Sequence, residues 1–555
     1  MAGEDQIVRR LARWEWVALA MIVAVGGWLR FSHLDLLEFK SDEAIAVDLA
    51  LRFVRTGQLP TAGLMSSVGV TNPPLFIYLL IPMFFVTKSI ALVSCFIAAF
   101  GLAAIGACWW VGRKYYGPIA GLVAAAMFAT SPWAVIYSRK IWAQDFVPVF
   151  VTGLMWAMHA LVIGQKPKAV FWAVLLPLCV IQIHFSGLAL TAMVVAILLL
   201  LRPKMDWRFA VAGLVTAAFL LVPYVQFQAA NGWHDFKQAA AQIGGQKWNI
   251  PEGITIRPDS GYPLPRRPSE TWVHALAIMN GGEIEDVLGL STGKEFDRQQ
   301  VWAAKGFEYF SSGFDWLLML QRLGFAVAFG WLAWTAVKSL RASRRFPFLA
   351  VEKDRQAWIL VLWMVVPLGV FAAAGLWTYL SYYVILYPAH FLVIGLAAER
   401  FTGAAPARRW GVATVVAVVV VGSNLFYWHD LNRFIGKYGG AQGTYGSGLG
   451  FKEKAVRYLL QQGKATELFS EHRVVQMDRL GEASAAQMEF SLLAGLYEKA
   501  NDGTALPKRL LLLADVNRTN YQPVPLVQLA QMAKMNGIDA ASFGPIWIYV
   551  LEKNQ

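Results

Sequence analysis

Two adjacent carboxylates, Asp42 and Glu43, follow directly on the first long apolar stretch of the chain. Charge at the edge of a bilayer is costly, so it usually marks a functional site. A simpler interpretation is that Ser41 begins a helix whose first turn is stabilised by acidic residues. That interpretation would suffice for a soluble protein. Here a second acidic turn, farther along the chain, favours a site.

The second turn is residues 137–145, in which Arg139 and Lys140 precede Asp145. A carboxylate where a helix re-enters the membrane, with two cations just before it, is typical of an ion or phosphate site. Each residue alone also fits an interfacial anchor or a helix N-terminus. Because both acidic turns are predicted on the same side of the membrane, we interpret them as two parts of one site.

Composition places these turns in a membrane protein. Of the 555 residues, 57% are hydrophobic and only 15% are charged, whereas soluble domains contain about 25% charged residues. The net charge of +13 comes from short basic clusters between apolar runs, as orientation in a membrane requires, which argues against nucleic-acid binding. The three cysteines all lie in apolar runs, so we expect no disulfide. They are Cys95, Cys108 and Cys179.

Apolar runs and basic clusters together predict about eleven transmembrane helices with the N-terminus in the cytoplasm, because nearly every compact basic cluster then lies on one side. Leu75–Val86 is too short to span and is predicted to be an interfacial or re-entrant helix in an external loop, 32–88. The predicted spans are 14–31, 89–111, 117–135, 145–162, 169–185, 186–201, 209–227, 315–337, 357–379, 382–398 and 410–428.

Hydrophobic density falls after the last predicted span. Residues 1–428 are therefore predicted to form a transmembrane module with external loops 32–88 and 228–314, and residues 429–555 a small external domain. Two strand-like runs and two amphipathic helical patterns indicate an α/β fold there. They lie at 509–514, 546–551, 486–500 and 526–536. The predicted fold class is an all-α polytopic membrane bundle with a C-terminal α/β soluble domain.

Several motifs together resemble the GT-C glycosyltransferases. Asp-Glu-Ala at 42–44, Pro-Pro-Leu at 73–75, Tyr-Ser-Arg with a later Asp in 137–145, and the tyrosines and proline of 382–388 are similar to motifs of the protein O-mannosyltransferases, the lipid A aminoarabinose transferases and their bacterial family 39 relatives. The resemblance implies an inverting enzyme that transfers a hexosyl or pentosyl group from a polyprenyl-phosphate donor. It further implies a lipid, glycan or protein acceptor at the outer face of the bacterial cytoplasmic (inner) membrane.

The resemblance also implies roles for the polar residues. Asp42 would be the base for the acceptor nucleophile, and Glu43 and Asp145 would orient the acceptor or a cation. Cations and tyrosines would bind the donor phosphate, namely Lys40, Arg139, Lys140, Tyr382 and Tyr383. Asn72, Gln182 and His184 are assigned to substrate binding. For Gln182 and His184, a structural pair satisfied inside the bundle is an equal alternative.

The chain departs from the aminoarabinose transferases at two positions. Those enzymes carry motifs similar to Asp-Glu-Ala-Arg and Lys-Pro-Pro-Leu. In this chain Ile45 and Asn72 occupy the positions of the Arg and the Lys. This argues against their particular donor and leaves Lys40, Arg139, Lys140 or a metal to neutralise the phosphate.

A divalent cation such as Mg²⁺ or Mn²⁺ is the alternative source of positive charge. Asp42 and Asp145 could bind it through hard oxygen ligands, with Glu283, Glu285 or Asp286 as further candidates. The sequence has no metal-specific spacing.

Two other functions remain open from the sequence. A transporter or flippase for a lipid-linked substrate would place coupling charges near the bilayer midplane, which is nearly free of charge here. An oligosaccharide transferase using a polyprenyl-diphosphate donor would share the topology, but the tryptophan-tryptophan-aspartate motif of that family is absent. The identities of the sugar and the acceptor do not follow from the sequence.

Overall fold

A computed structural model defines the architecture of most of the chain. It describes residues 13–66, 70–243, 270–281, 315–343, 352–374, 378–403, 405–439, 445–470, 473–477, 483–485, 488–498, 509–515, 525–533 and 535–553. The candidate ligands Glu283, Glu285 and Asp286, with most of the predicted loop 228–314, lie outside these ranges.

Long apolar helices dominate the described residues, because in lipid every backbone polar group must pair within its own segment. Seven of these helices are long and apolar enough to cross a membrane, and a bent pair adds an eighth span. The seven are Arg13–Phe31, Ile90–Tyr115, Ala143–Val162, Trp207–Ala230, Trp316–Leu340, Asp354–Ala374 and Pro406–Lys437. Four shorter apolar helices are Leu75–Val86, Pro118–Thr130, Pro167–Ile183 and Gly187–Leu201. The chain is therefore a multi-pass membrane protein.

Each of the eleven predicted spans has a helical counterpart among the described residues, but only eight of these counterparts, the bent pair included, are long and apolar enough to cross a membrane. The predicted span 117–135 is divided into Pro118–Thr130 and Pro132–Ile136, because Pro132 has no N–H to continue the ladder. The span predicted at 382–398 is the bent pair, a 3₁₀ segment Leu380–Leu386 followed by Ala389–Thr402 at 47° to it.

The last predicted span, 410–428, is longer in the structure and changes its winding. It consists of Pro406–Val415, a π-helical stretch Val416–Gly422 and Ser423–Tyr438. The predicted domain boundary after residue 428 therefore falls inside a helix.

Two of the helices outside the long spans frame the acidic turn. Ser41–Thr56 begins directly after Lys40 and ends at Gly57, whose left-handed backbone (φ 71°) suits a residue without a side chain. Leu75–Val86 packs against it. This confirms the predicted short helix in the loop after the first span.

The C-terminal segment contains a mixed five-stranded sheet with helices packed beside it, so the α/β prediction is confirmed. In sheet order its strands are Ala483–Ala485, Val474–Met477, Arg509–Asp515, Ile546–Lys553 and Met535–Phe543. The helices are Leu449–Gln462, Ala465–Ser470, Met488–Tyr497 and Leu526–Ala533. The sequence did not predict Met535–Phe543, because its Gly, Asp and Ser residues leave no apolar alternation.

Candidate active site

Glu38 is the central charge of the candidate site. Its carboxylate lies 2.7 Å from the Lys40 ammonium and 2.8 Å from the Lys140 ammonium, and the residue is only 5% exposed. Burial acts to raise the pKa of Glu38, but the two ammonium groups outweigh it and hold that pKa below its ordinary value. Glu38 is therefore ionised at neutral pH, and it links the two segments that sequence analysis assigned to one site.

Glu43 and Asp145 use one carboxylate oxygen each in a backbone contact. Glu43 accepts a hydrogen bond from the Lys40 N–H (3.1 Å), and Asp145 accepts one from the Lys140 N–H (2.8 Å). Both carboxylates are buried, and their second oxygens have no hydrogen-bond partner among the described residues. The free oxygen of Glu43 lies 3.7 Å from the Lys140 ammonium. Two acceptor atoms thus remain beside the lysine pair.

Asp42 differs from its neighbour in exposure. Successive helical residues point about 100° apart, so Glu43 is directed into the protein while Asp42 is exposed at the surface. Within the described ranges, Asp42 forms no hydrogen bond or ion pair. Its carboxylate is therefore accessible to an incoming molecule, as a general base requires.

Arg139 contacts main-chain carbonyls at the end of the first span. Its guanidinium donates to the carbonyls of Leu29, Ser32 and His33, at the end of the first span, and lies 5.0 Å from the Trp428 ring. Helix C-termini leave carbonyls without partners, and a guanidinium is well suited to satisfy several at once. Arg139 therefore fixes the turn that carries Lys140 and is only 5% exposed.

A second group of predicted residues lies around the bent helix pair. The His184 ring is 4.4 Å from the Tyr382 ring, and its Nδ1 is 2.9 Å from the Ser186 hydroxyl. Tyr383 is fully buried, with its hydroxyl 2.9 Å from that of Thr378. The 3₁₀ segment bearing both tyrosines packs against Ala143–Val162, the helix that carries Asp145.

Asn72 and Gln182 each donate to a main-chain carbonyl. Asn72 binds the Leu64 carbonyl at 3.0 Å, and Gln182 binds that of Ala217 at 3.2 Å. Their side-chain oxygens are buried and have no partner in the described part of the chain. Both side chains are thus anchored with one acceptor atom left over.

Glu38 was not predicted as a site residue, although the sequence contained a signal for it. Residues two apart lie on the same face of an extended segment, so Glu38 and Lys40 were placed to form a pair. A cation–π contact was missed as well: the Lys140 ammonium lies 4.1 Å from the Trp142 ring centre.

The predicted metal ligands do not form a complete site by themselves. No three His, Cys, Asp or Glu side chains of the described residues converge as metal ligands do. Asp42 is exposed while Asp145 is buried. The better placed hard ligands are the free oxygens of Glu43 and Asp145, since Mg²⁺ commonly takes one or two carboxylates plus phosphate oxygens.

Glu38 and Glu43 should give opposite pH dependences of stability. The lowered pKa of Glu38 gives stability that is present above the ordinary value of 4.5 and lost as the pH falls through the folded pKa. Burial raises the pKa of Glu43, so its contribution is present below 4.5 and lost as the pH rises through the folded pKa. At about pH 8, Glu43→Gln should raise the melting temperature and Glu38→Gln should lower it.

Thermal unfolding of both variants between about pH 2 and pH 8 provides the measurement, because the contribution of Glu38 is lost only below its ordinary pKa of 4.5. The advantage of Glu43→Gln over the native chain should grow with pH, and the deficit of Glu38→Gln should shrink as the pH falls. A Glu43→Gln protein that is less stable than the native chain at about pH 8 would contradict a raised pKa for Glu43.

Comparisons with known proteins bear on the fold. No protein-family model matches the chain, and no curated protein matches it in sequence. In structure it is similar to ArnT from Cupriavidus metallidurans bound to undecaprenyl phosphate, with a TM-score of 0.50, 13% identity, and coverage of 97% of this chain and 98% of that one.

Weaker likenesses are to the archaeal oligosaccharyltransferase AglB from Archaeoglobus fulgidus. Its complex with an inhibitory peptide and a dolichol-phosphate gives a TM-score of 0.43 at 12% identity, covering 83% of this chain and 59% of AglB. Its complex with Zn and sulfate gives 0.42 at 13% identity, with coverage of 82% and 56%. The chain thus spans little more than half of AglB. The full-length likeness to ArnT, with the apolar helices and the C-terminal α/β segment, shows that this chain has the GT-C fold.

Proposed function

We propose that the protein is an inverting glycosyltransferase that moves a sugar from a polyprenyl-phosphate donor to a lipid, glycan or protein acceptor. The observation that carries the proposal is an accessible carboxylate, Asp42, two residues from a lysine that Glu38 joins to a second lysine. A base beside a pair of cations suits the transfer of a group away from a phosphate. The likeness to a structure that holds undecaprenyl phosphate supports a carrier of this class.

In the proposed reaction, the acceptor hydroxyl loses its proton to the Asp42 carboxylate as its oxygen attacks the anomeric carbon of the donor. The bond from that carbon to the phosphate oxygen breaks, and the carrier phosphate leaves with the electron pair. Lys40 is the cation nearer to solvent, with 26% of its side chain exposed, and would meet the phosphate first. Lys140 stabilises the same charge from the buried side.

The remaining predicted residues have supporting roles in this proposal. Glu43 and Asp145 orient the acceptor through their free oxygens, and Arg139 holds the turn. Tyr382 and His184 form a ring pair that suits contact with the sugar or the carrier. We further propose that Tyr383 contacts the donor and that Asn72 and Gln182 contact the substrate.

A divalent cation would add positive charge at the same place. The free oxygens of Glu43 and Asp145 would hold it with the donor phosphate, and it would stabilise the departing phosphate. Because two lysines already lie there, we expect transfer after chelation to stay within about threefold of the untreated rate. A loss of about a hundredfold on chelation, restored by Mg²⁺ or Mn²⁺, would assign the charge to the metal.

The donor class is tested with purified protein in lipid nanodiscs. Labelled polyprenyl-monophosphate and polyprenyl-diphosphate sugars are supplied separately with candidate acceptors. The monophosphate donor should be consumed, with release of the free carrier phosphate. Preferential use of the diphosphate donor would indicate an oligosaccharide transferase. If neither donor is cleaved, a parallel assay in sealed vesicles shows whether the intact lipid-linked sugar crosses the bilayer, as a flippase would require.

The orientation of the chain is a separate prediction. The loop with Asp42, the turn with Arg139 and the C-terminal domain should face the periplasm or cell exterior, with the N-terminus in the cytoplasm, because the basic clusters then lie inside. In a variant without native cysteines, Ser260→Cys and Ser470→Cys should react with an impermeant reagent on intact cells. Ser343→Cys should react only after the membrane is opened. If only Ser343→Cys reacted on intact cells, the orientation of the chain would be the reverse of the predicted one.

A further inference from the structure

The loop that carries Glu38 is bound along one side by the C-terminal domain. The Tyr445 hydroxyl donates to the Leu36 carbonyl, and the Leu449 N–H donates to the Leu37 carbonyl at 2.8 Å. The Lys452 ammonium donates to the Phe39 carbonyl. Three carbonyls around Glu38 are therefore held by donors more than four hundred residues later in the chain.

A buried ion pair forms the last part of this contact. Lys452 and Glu489 lie 3.0 Å apart, at 4% and 0% exposure. Lys452 binds the carbonyl just before Lys40, and Glu489 accepts from the hydroxyl of Ser41 just after it, at 3.4 Å. The pair thus contacts the residues immediately before and after Lys40.

Glycines allow the two segments to approach this closely. A Cβ on Gly448 would lie 2.9 Å from the Asp35 carbonyl oxygen and the Leu36 Cα. A Cβ on Gly450 would lie 2.8 Å from the Asp35 Cβ. The contact is therefore backbone against backbone, which leaves little freedom for the loop to shift.

We propose that the C-terminal domain belongs to the catalytic unit, with Lys452 and Glu489 as positioning residues that hold Glu38 and Lys40 in place for the donor phosphate. The proposal rests on the proposed function. Neither residue is proposed to contact the substrate. Their effect passes through the main chain at Phe39 and the side chain of Ser41, so it should appear in turnover and in the order of the loop.

The variants are chosen to separate positioning from simple domain stability. Lys452→Met should lower kcat by about 10-fold to 100-fold, because small misplacements of a charge-stabilising group are costly. Lys452→Arg keeps the donor and should stay within about threefold. The double swap Lys452→Glu with Glu489→Lys restores an ion pair but not the donor to Phe39, so it should remain as slow as Lys452→Met.

Tyr497→Phe is the matched control. It removes a 2.6 Å hydrogen bond to Glu453 between the same two helices, Leu449–Gln462 and Met488–Tyr497, but away from the loop. Its turnover should stay within about twofold of the native chain. Recovery of activity in the double swap, or an equal loss in Tyr497→Phe, would show that the ion pair serves only to fold the domain and would overturn the proposal.

Hydrogen exchange supplies a readout that does not depend on the reaction. In Lys452→Met the amides of residues 36–41 should exchange faster, while those of the sheet strand Ile546–Lys553 should not change. Unchanged loop exchange would overturn the positioning role even if the enzyme is active. If the native protein transfers no sugar but loop exchange is faster in Lys452→Met, the proposed function is wrong. The structural coupling between the C-terminal domain and the loop would still hold.

Discussion

Asp42→Asn should lower sugar transfer by ~10²-fold or more while the protein still folds and binds its donor. Asparagine keeps the size and the hydrogen-bonding shape of the side chain but does not accept the proton of the acceptor hydroxyl. Because Asp42 is exposed and forms no ion pair in the described residues, its replacement leaves no buried charge behind. The measurement is kcat and donor affinity in nanodiscs, beside a melting curve.

Asp48→Asn is the matched control for Asp42→Asn. Asp48 lies on the same helix, and its carboxylate is paired with Arg52 at 2.6 Å, so its loss tests the effect of removing a helix carboxylate. If Asp42 only stabilises the first helical turn, the substitution costs under about 1 kcal/mol and transfer continues. If Asp42→Asn is active and Glu43→Gln is inactive, the base is Glu43 and not Asp42.

Lys140→Met should have the second large effect, on stability and on donor use together. It leaves Glu38 with Lys40 alone and removes the ammonium that lies 3.7 Å from the Glu43 carboxylate. Leaving a buried charge with no partner costs about 3–5 kcal/mol, and because Lys40 still pairs with Glu38 we expect a smaller loss of stability. We expect kcat/KM for the donor to fall by ~10²-fold or more, because charge-assisted phosphate contacts are the strong ones.

The two effects separate in the double variant Lys140→Met with Glu38→Gln. Removing the Glu38 carboxylate, which has lost one of its two ammonium partners, should restore part of the melting temperature, whereas donor use should stay low. If the melting temperature and the use of donor both recover, Lys140 has only a structural role. Unchanged kinetics in Lys140→Met alone would show that the turn of residues 137–145 is not part of the active site.

The helices were predictable from sequence because a single physical rule produces them: backbone groups in lipid must pair locally. The breaks at Pro132 and Pro388 depend on which carbonyls find other partners. At the first break, Arg30 donates to the carbonyls of Ala129 and Ala134, and no local pattern identifies an arginine ninety-nine residues away as that partner.

The candidate site was only partly predictable for a similar reason. The charged residues in the two acidic turns were identified by type and position, and the structure brings Lys40, Glu43, Lys140 and Asp145 around Glu38. Arg139 shows why the contacts of a cation do not follow from its position in the sequence. A guanidinium binds carbonyl and phosphate oxygens alike, so the sequence did not distinguish a helix cap from a phosphate ligand.

The docking of the C-terminal domain on the loop also sets an order of events during synthesis. Residues 36–39 are made early, but the groups that hold their carbonyls lie 409 and 413 positions later, and the partner of Ser41 lies 448 positions later. Domains form as the chain is synthesised from its N-terminus, so a growing chain has its apolar helices long before this loop is fixed. A nascent or truncated chain should therefore sit in the membrane without consuming donor lipid, and activity should begin only when the final hundred or so residues have folded.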